Sequence, residues 1–220
     1  MFPKLKRQGG LAGDEANLVE RYFAMQGERP SRLGDVGVEA LDPFLRTLLF
    51  TDGTVTRTLG VQLLAPVVVE PISQVPTVTT GEVAACLEAP AEEEAIRRQV
   101  SIGVGEPAIP VLWAESFMVA DRLPPGFLGL LDAAPDGIGQ SLQRFSLESS
   151  RELCWFGLDR APSWSPGAGR PTLQRLYRIV SGGRPAILIA EHFEVEERRG
   201  TYHLAGLLAH SSRRQLESLR

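Results

Sequence analysis

Apolar and polar positions along this chain alternate in short runs, broken by glycine and proline. The sharpest run follows Ser181-Gly182-Gly183, a glycine pair suited to a tight reversal, and continues to Val195. Side chains alternate faces along a strand, so Ile187, Ile189, Glu191, Phe193 and Val195 share one face, and His192 points to the other. A carboxylate in an apolar face is costly unless a cation or a donor meets it. A second run starts near Arg97 or Arg98 and sets Arg98, Val100, Ile102 and Val104 on one face. A guanidinium thus leads an apolar face. Val111 to Ala120, Glu152 to Gly157 and Thr172 to Val180 predict further strands, as does Val61 to Ile72, bent or at an edge because of Pro66 and Pro71.

Helical spacing appears elsewhere. Asp42 is placed as an N-cap before Pro43, with Phe44, Leu45, Leu48 and Leu49 as the apolar stripe. Asp14 can cap a helix reaching about Gln26, Thr80 a short one near Val83 to Leu87. Phe127 to Leu131 and a segment opened by Asp136-Gly137-Ile138-Gly139 complete the set. Strands joined by tight turns, with helices inserted unevenly, predict an α+β single domain with a mostly antiparallel sheet. A small closed barrel is the alternative. The expected division is a loose arm over 1–12, a domain over 13–200 and a polar tail over 201–220.

The composition, 43% hydrophobic and 23% charged, is that of an ordinary globular chain, and a net charge of −4 argues against nucleic acid as a partner. Lysine occurs only at Lys4 and Lys6, so arginine carries the rest of the positive charge. That reads either as codon bias or as guanidinium forks for carboxylates. Cys86 and Cys154 form neither a disulfide framework nor a zinc site and read as buried thiols. No apolar stretch follows the basic Lys4, Lys6 and Arg7, so no secretory signal is expected, nor a membrane span. The expected compartment is the cytoplasm.

Most candidate chemistry falls away. Gly167-Ala168-Gly169-Arg170 lacks the lysine and hydroxyl of a phosphate loop. His192, His203 and His210 lack metal-ligand spacing. Glu115, a second carboxylate in an apolar strand, reads as a structural partner for an arginine, with a site residue as the alternative. Arg98 and Glu191 remain, with two readings open. They are structural, as a buried ion pair or two strand-end charges, or they are the poles of an apolar cavity for a small cyclic acid, the arginine taking its carboxylate and the glutamate a hydroxyl.

Four segments carry a family resemblance: Leu49-Phe-Thr-Asp-Gly-Thr-Val-Thr-Arg-Thr-Leu59, Trp113-Ala-Glu-Ser-Phe-Met-Val-Ala-Asp-Arg-Leu-Pro124, Asp136-Gly-Ile-Gly139 and Ile179-Val-Ser-Gly-Gly-Arg-Pro-Ala-Ile-Leu-Ile-Ala-Glu-His-Phe193. In order, they resemble chorismate lyase (chorismate pyruvate-lyase), in its 4-hydroxybenzoate-forming bacterial branch. The resemblance runs from about residue 41 to 195. It implies an antiparallel sheet of about six strands with an internal pocket under helical flaps, no metal and no cofactor. It places the ring-carboxylate arginine at Arg98, the hydroxyl-binding glutamate at Glu191, and two carboxylate-holding backbone amides near Val55 and Ile138. The implied reaction turns chorismate into 4-hydroxybenzoate and pyruvate. Whether Glu191 is base, acid or orienter stays open.

Two rivals share these residues. One is a lyase giving a different hydroxybenzoate from chorismate or a related acid. The other is a non-catalytic module that binds small aromatic acids, since regulator effector domains share this fold. The forty residues ahead of the match are expected to be too few and too weakly basic for a winged helix. A monomer is the expected state.

Overall fold

Alternation places the strands close to where the sequence puts them. The computed structural model describes residues 18–133 and 137–205. Strands β1 (Val67–Val78), β2 (Glu94–Val104), β3 (Ile109–Val119), β4 (Ser149–Arg160), β5 (Pro171–Ser181) and β6 (Arg184–Arg198) form an antiparallel sheet in the order β1-β2-β3-β6-β5-β4. A short β7 (Thr201–Leu204) returns along the end of β6, giving seven strands. The protein is an α+β single domain. β1 and β4 end the strand order without pairing to each other, so the sheet does not close into a barrel, and residues Phe23 to Gly34 bridge to the outer side of β4.

Beyond the helical residues 18–22, the α-helices are α1 (Pro43–Phe50), α2 (Val55–Leu63), α3 (Gly81–Cys86), α4 (Phe127–Ala133) and α5 (Ile138–Arg144). The α1 start is as expected: Asp42 Oδ1 accepts from the Phe44 and Leu45 amides at 2.7 and 2.9 Å, and Pro43 fills the first turn. α4 and α5 lie in the link from β3 to β4. Since β4 sits beyond β6 and β5, this link passes over those two strands. α1 and α2 cover the same face. Leu45, Leu48, Leu49, Leu59, Phe127 and Leu142 are buried there against Met118, Ile187 and Phe193. The other face carries a smaller core of Leu33, Cys86, Leu87, Trp155, Leu176 and Leu188.

Three expectations need correction. Val61 is the first residue of no strand: Val55–Leu63 is helical, and the strand begins only at Val67, after Pro66. The exposed Val61 and Leu64 masked the helical period, because they put apolar residues on the solvent side. The first helix, described over 18–22, ends early because Phe23 bridges to Leu153 and the Ala24 amide donates to the Leu153 carbonyl at 3.0 Å. The tail expected over 201–220 opens with a strand, since β6 runs to Arg198 and turns through Gly200 (φ +80) into β7. Asp14, Asp136, the arm over 1–12 and the tail beyond 205 lie outside the described residues.

Candidate active site

The helix-covered face holds a cavity lined from the sheet by Arg98, Val100 and Ile102 of β2, Ala114 and Ser116 of β3, Ile189 and Glu191 of β6, Tyr177 of β5 and Arg151 of β4. Gly53 to Thr56 and Gly137 to Gly139 close it from above. It leaves about 70 Å³ for the centres of water-sized atoms, several times what one water requires. That is room for a small molecule, not for a polymer chain. Thr54, Thr56, Val69 and Gly137 also line an adjoining groove of about 590 Å³ with Arg57 and Arg144.

Both predicted poles lie in this cavity, and they are not an ion pair with each other. Arg98 is opposite Ser116 in the sheet, and Glu191 is opposite Ala114. Two strand spacings and two residues along the strand put their Cα atoms roughly 12 Å apart. Ala114 and Ser116, both small, floor the space between them. Arg98 is buried, and its Nη1 donates to Gln74 Oε1 at 2.7 Å.

Glu191 has its own cation. Arg175 lies directly opposite on β5, fully buried, and donates through Nε and Nη2 to Glu191 Oε2 at 3.0 and 2.6 Å. The Tyr177 hydroxyl donates to Oε1 at 3.2 Å. Burial, then the Glu191 charge, pushes the Tyr177 phenol up, so it stays a proton-bearing donor. Arg175 Nη1 reaches the carbonyls of Leu48 (2.5 Å), Leu49 (3.2 Å) and Thr51 (3.0 Å). The last carbonyls of a helix lack intrahelical partners, and a cation at that end also meets the helix dipole. One side chain thus fixes the cavity carboxylate and the end of α1 that leads into the cavity roof.

Val55 and Ile138, the expected amide positions, are the first residues of α2 and α5, and both line the cavity. Thr54 makes no side-chain capping bond and Gly137 has no side chain to make one. Amides at such helix starts are open to an anion.

The remaining candidates sit elsewhere. Glu115 is on the far face, bonded to Arg97 Nε and Gln99 Nε2 at 2.7 Å each, the structural role expected of it. His192 is buried on that far face, where loss of hydration lowers its pKa to about 4. Cys86 and Cys154 are free, buried thiols. Among the described residues, no cluster of three or more His, Cys, Asp or Glu could hold a metal, and no helix is long and apolar enough to cross a membrane.

Arg175, Tyr177 and Arg151 were not singled out from the sequence. For Arg175 the signal existed: alternation along Thr172 to Val180 sets Leu173, Arg175, Tyr177 and Ile179 on one face, the same anomaly that marked Arg98. Arg151 escaped because the strand starts at Ser149, before the expected Glu152, and a bulge between Leu153 and Trp155 breaks the alternation.

The family model described as "Chorismate pyruvate-lyase Rv2949c-like" matches residues 49–199, a span holding Arg98, Glu191, Arg175 and both roof segments. The chain belongs to that family. A chorismate pyruvate-lyase of Mycobacterium leprae is 28% identical over 161 residues, covering 71% of this chain and 76% of the relative. One of Mycobacterium tuberculosis is 25% identical over 171 residues, covering 73% and 84%. Among solved structures, the effector domain of PhnF from Mycobacterium smegmatis aligns with TM-score 0.52 at 10% identity, over 66% of this chain and 90% of that one. At that identity the likeness is one of fold.

Proposed function

We propose that this protein is a chorismate pyruvate-lyase that releases 4-hydroxybenzoate and pyruvate. The observation that carries the reading is the pair of poles: Arg98 and Glu191 in one cavity, on either side of Ala114 and Ser116. Arg98 takes the ring carboxylate as a fork, helped by the amides at Val55 and Ile138. Glu191, held by Arg175 and Tyr177, accepts from the ring hydroxyl.

The bond from the ring to the ether oxygen then breaks. The neighbouring ring carbon, which bears the hydroxyl, gives up its hydrogen as a proton, and the ring becomes aromatic. The departing enolpyruvate takes up a proton and becomes pyruvate. Atoms and electrons balance with no redox partner, so the reading calls on no metal or cofactor. Aromatisation drives the reaction, and the protein's part is to hold the reacting conformer, with Glu191 beside the departing proton. The working unit in this reading is the domain over 13–200, acting as a cytoplasmic monomer.

Purified protein and chorismate, followed by chromatography, test it: equal amounts of pyruvate and 4-hydroxybenzoate are expected. A different hydroxybenzoate would keep the site and move the specificity. Tight 4-hydroxybenzoate binding without turnover would make the protein a binding module.

A further inference from the structure

The cavity wall holds a second cation for which the one-carboxylate product has no use. Among the described residues lining the cavity, Arg98 and Arg151 carry positive charge. They stand on β2 and β4, on opposite sides of the strands that carry Glu191 and Tyr177. Arg151 Nη1 donates to the Asp52 carbonyl at 2.9 Å, and its Nε is buried with no hydrogen-bond partner among the described residues. Its charge acts on the Tyr177 phenol, the group that donates to Glu191. Gly139 makes room for it: a Cβ there would lie 3.3 Å from Arg151 Nη2 and 3.0 Å from Thr54 Oγ1. The guanidinium therefore lies between the two roof segments, close enough to Tyr177 for its charge to act on the phenol that donates to Glu191.

The substrate has a second anionic group that calls for a second cation. In chorismate the enolpyruvyl ether sits on the ring carbon next to the hydroxyl-bearing one, and it ends in a second carboxylate. With the ring carboxylate at Arg98 and the hydroxyl at Glu191, the second carboxylate falls beside Glu191 and Tyr177. We propose that Arg151 receives this enolpyruvyl carboxylate through its Nε edge, which makes it the residue that selects the two-carboxylate substrate over the one-carboxylate product. The inference rests on the lyase reading above. It also gives the product a reason to let go: losing pyruvate removes half of the charge pairing.

The test compares two stable ligands by calorimetry: 4-hydroxybenzoate, and 3-(carboxymethoxy)-4-hydroxybenzoate, which carries a second carboxylate through an ether at the neighbouring carbon. Arg151→Gln is expected to weaken the dicarboxylate roughly tenfold or more while 4-hydroxybenzoate stays within about threefold. Arg98→Gln is expected to weaken both. Arg151→Lys keeps the charge without the fork, and should fall between wild type and Arg151→Gln for the dicarboxylate alone; it stands in if the glutamine variant does not fold. Equal weakening of both ligands would make Arg151 a brace for the roof and overturn the proposal, as would no weakening of either. A wild-type chain that binds neither ligand and leaves chorismate intact overturns the lyase reading itself. A wild-type chain that turns chorismate over, with an Arg151→Gln variant of unchanged KM, overturns only the role of Arg151.

Discussion

Arg175 and Glu191 face each other across β5 and β6, joined at 2.6 Å, the arginine fully buried and the glutamate nearly so. Two charges taken out of water are costly singly and tolerable together. The guanidinium also holds the carbonyls at the end of α1, so the pair is a joint between sheet and roof as well as a charge balance.

Removing one member should therefore be severe. Arg175→Met leaves Glu191 without its cation and strips three carbonyls of their donor, so a loss of about 3–5 kcal/mol is expected in urea unfolding. The double variant Arg175→Met/Glu191→Met should be more stable than Arg175→Met alone, because no lone charge remains buried. It should still be inactive. A double variant no more stable than the single would show that the carbonyl contacts, not the charge, carry the cost.

Glu191→Gln keeps shape and a hydrogen-bond acceptor. Chorismate turnover should fall by about 100-fold or more if the carboxylate takes part in moving the proton, and 4-hydroxybenzoate affinity should fall far less. Unchanged turnover would reduce Glu191 to an orienter.

His192 sets a pH limit on stability that is independent of the active site, because it lies on the other face of the sheet. Burial lowers its folded pKa from 6.5 to about 4. Above pH 6.5 it is neutral in both states and contributes no slope. Between 6.5 and about 4 the unfolded chain binds the proton first, so stability falls with pH, by about 3 kcal/mol in all. Below about 4 this contribution stops growing. His192→Gln should flatten that part of the curve relative to wild type, as read by urea midpoints at several pH values.

The thiols should be silent in the native protein. Burial pushes Cys86 up to about 11 and Cys154 up to about 12. A disulfide reagent at pH 8 should label neither until denaturant is added. Fast labelling of the native chain would mean that the small core on the far face opens readily.

What the sequence made legible follows from how local each signal is. Arg98 and Glu191 stood out because a charge in an alternating apolar strand is visible within a few residues. The cap at Asp42 needed only its two successors. Arg175 draws its meaning from carbonyls that lie 124 to 127 residues earlier, so only the folded chain shows what it does. The ion-pair reading of Arg98 with Glu191 failed for the same reason, since each has a different partner. The helix over Val55–Leu63 was hidden by exposed apolar residues, and the reach of β4 by its bulge.

The most direct measurement is a single-turnover experiment with protein in excess over chorismate, quenched over time and resolved into chorismate, pyruvate and aromatic product. The account predicts one pyruvate and one 4-hydroxybenzoate per chorismate in wild type, with the rate strongly reduced in Arg98→Gln. Chorismate recovered intact from a protein that binds 4-hydroxybenzoate would contradict it and leave a binding module on a lyase fold.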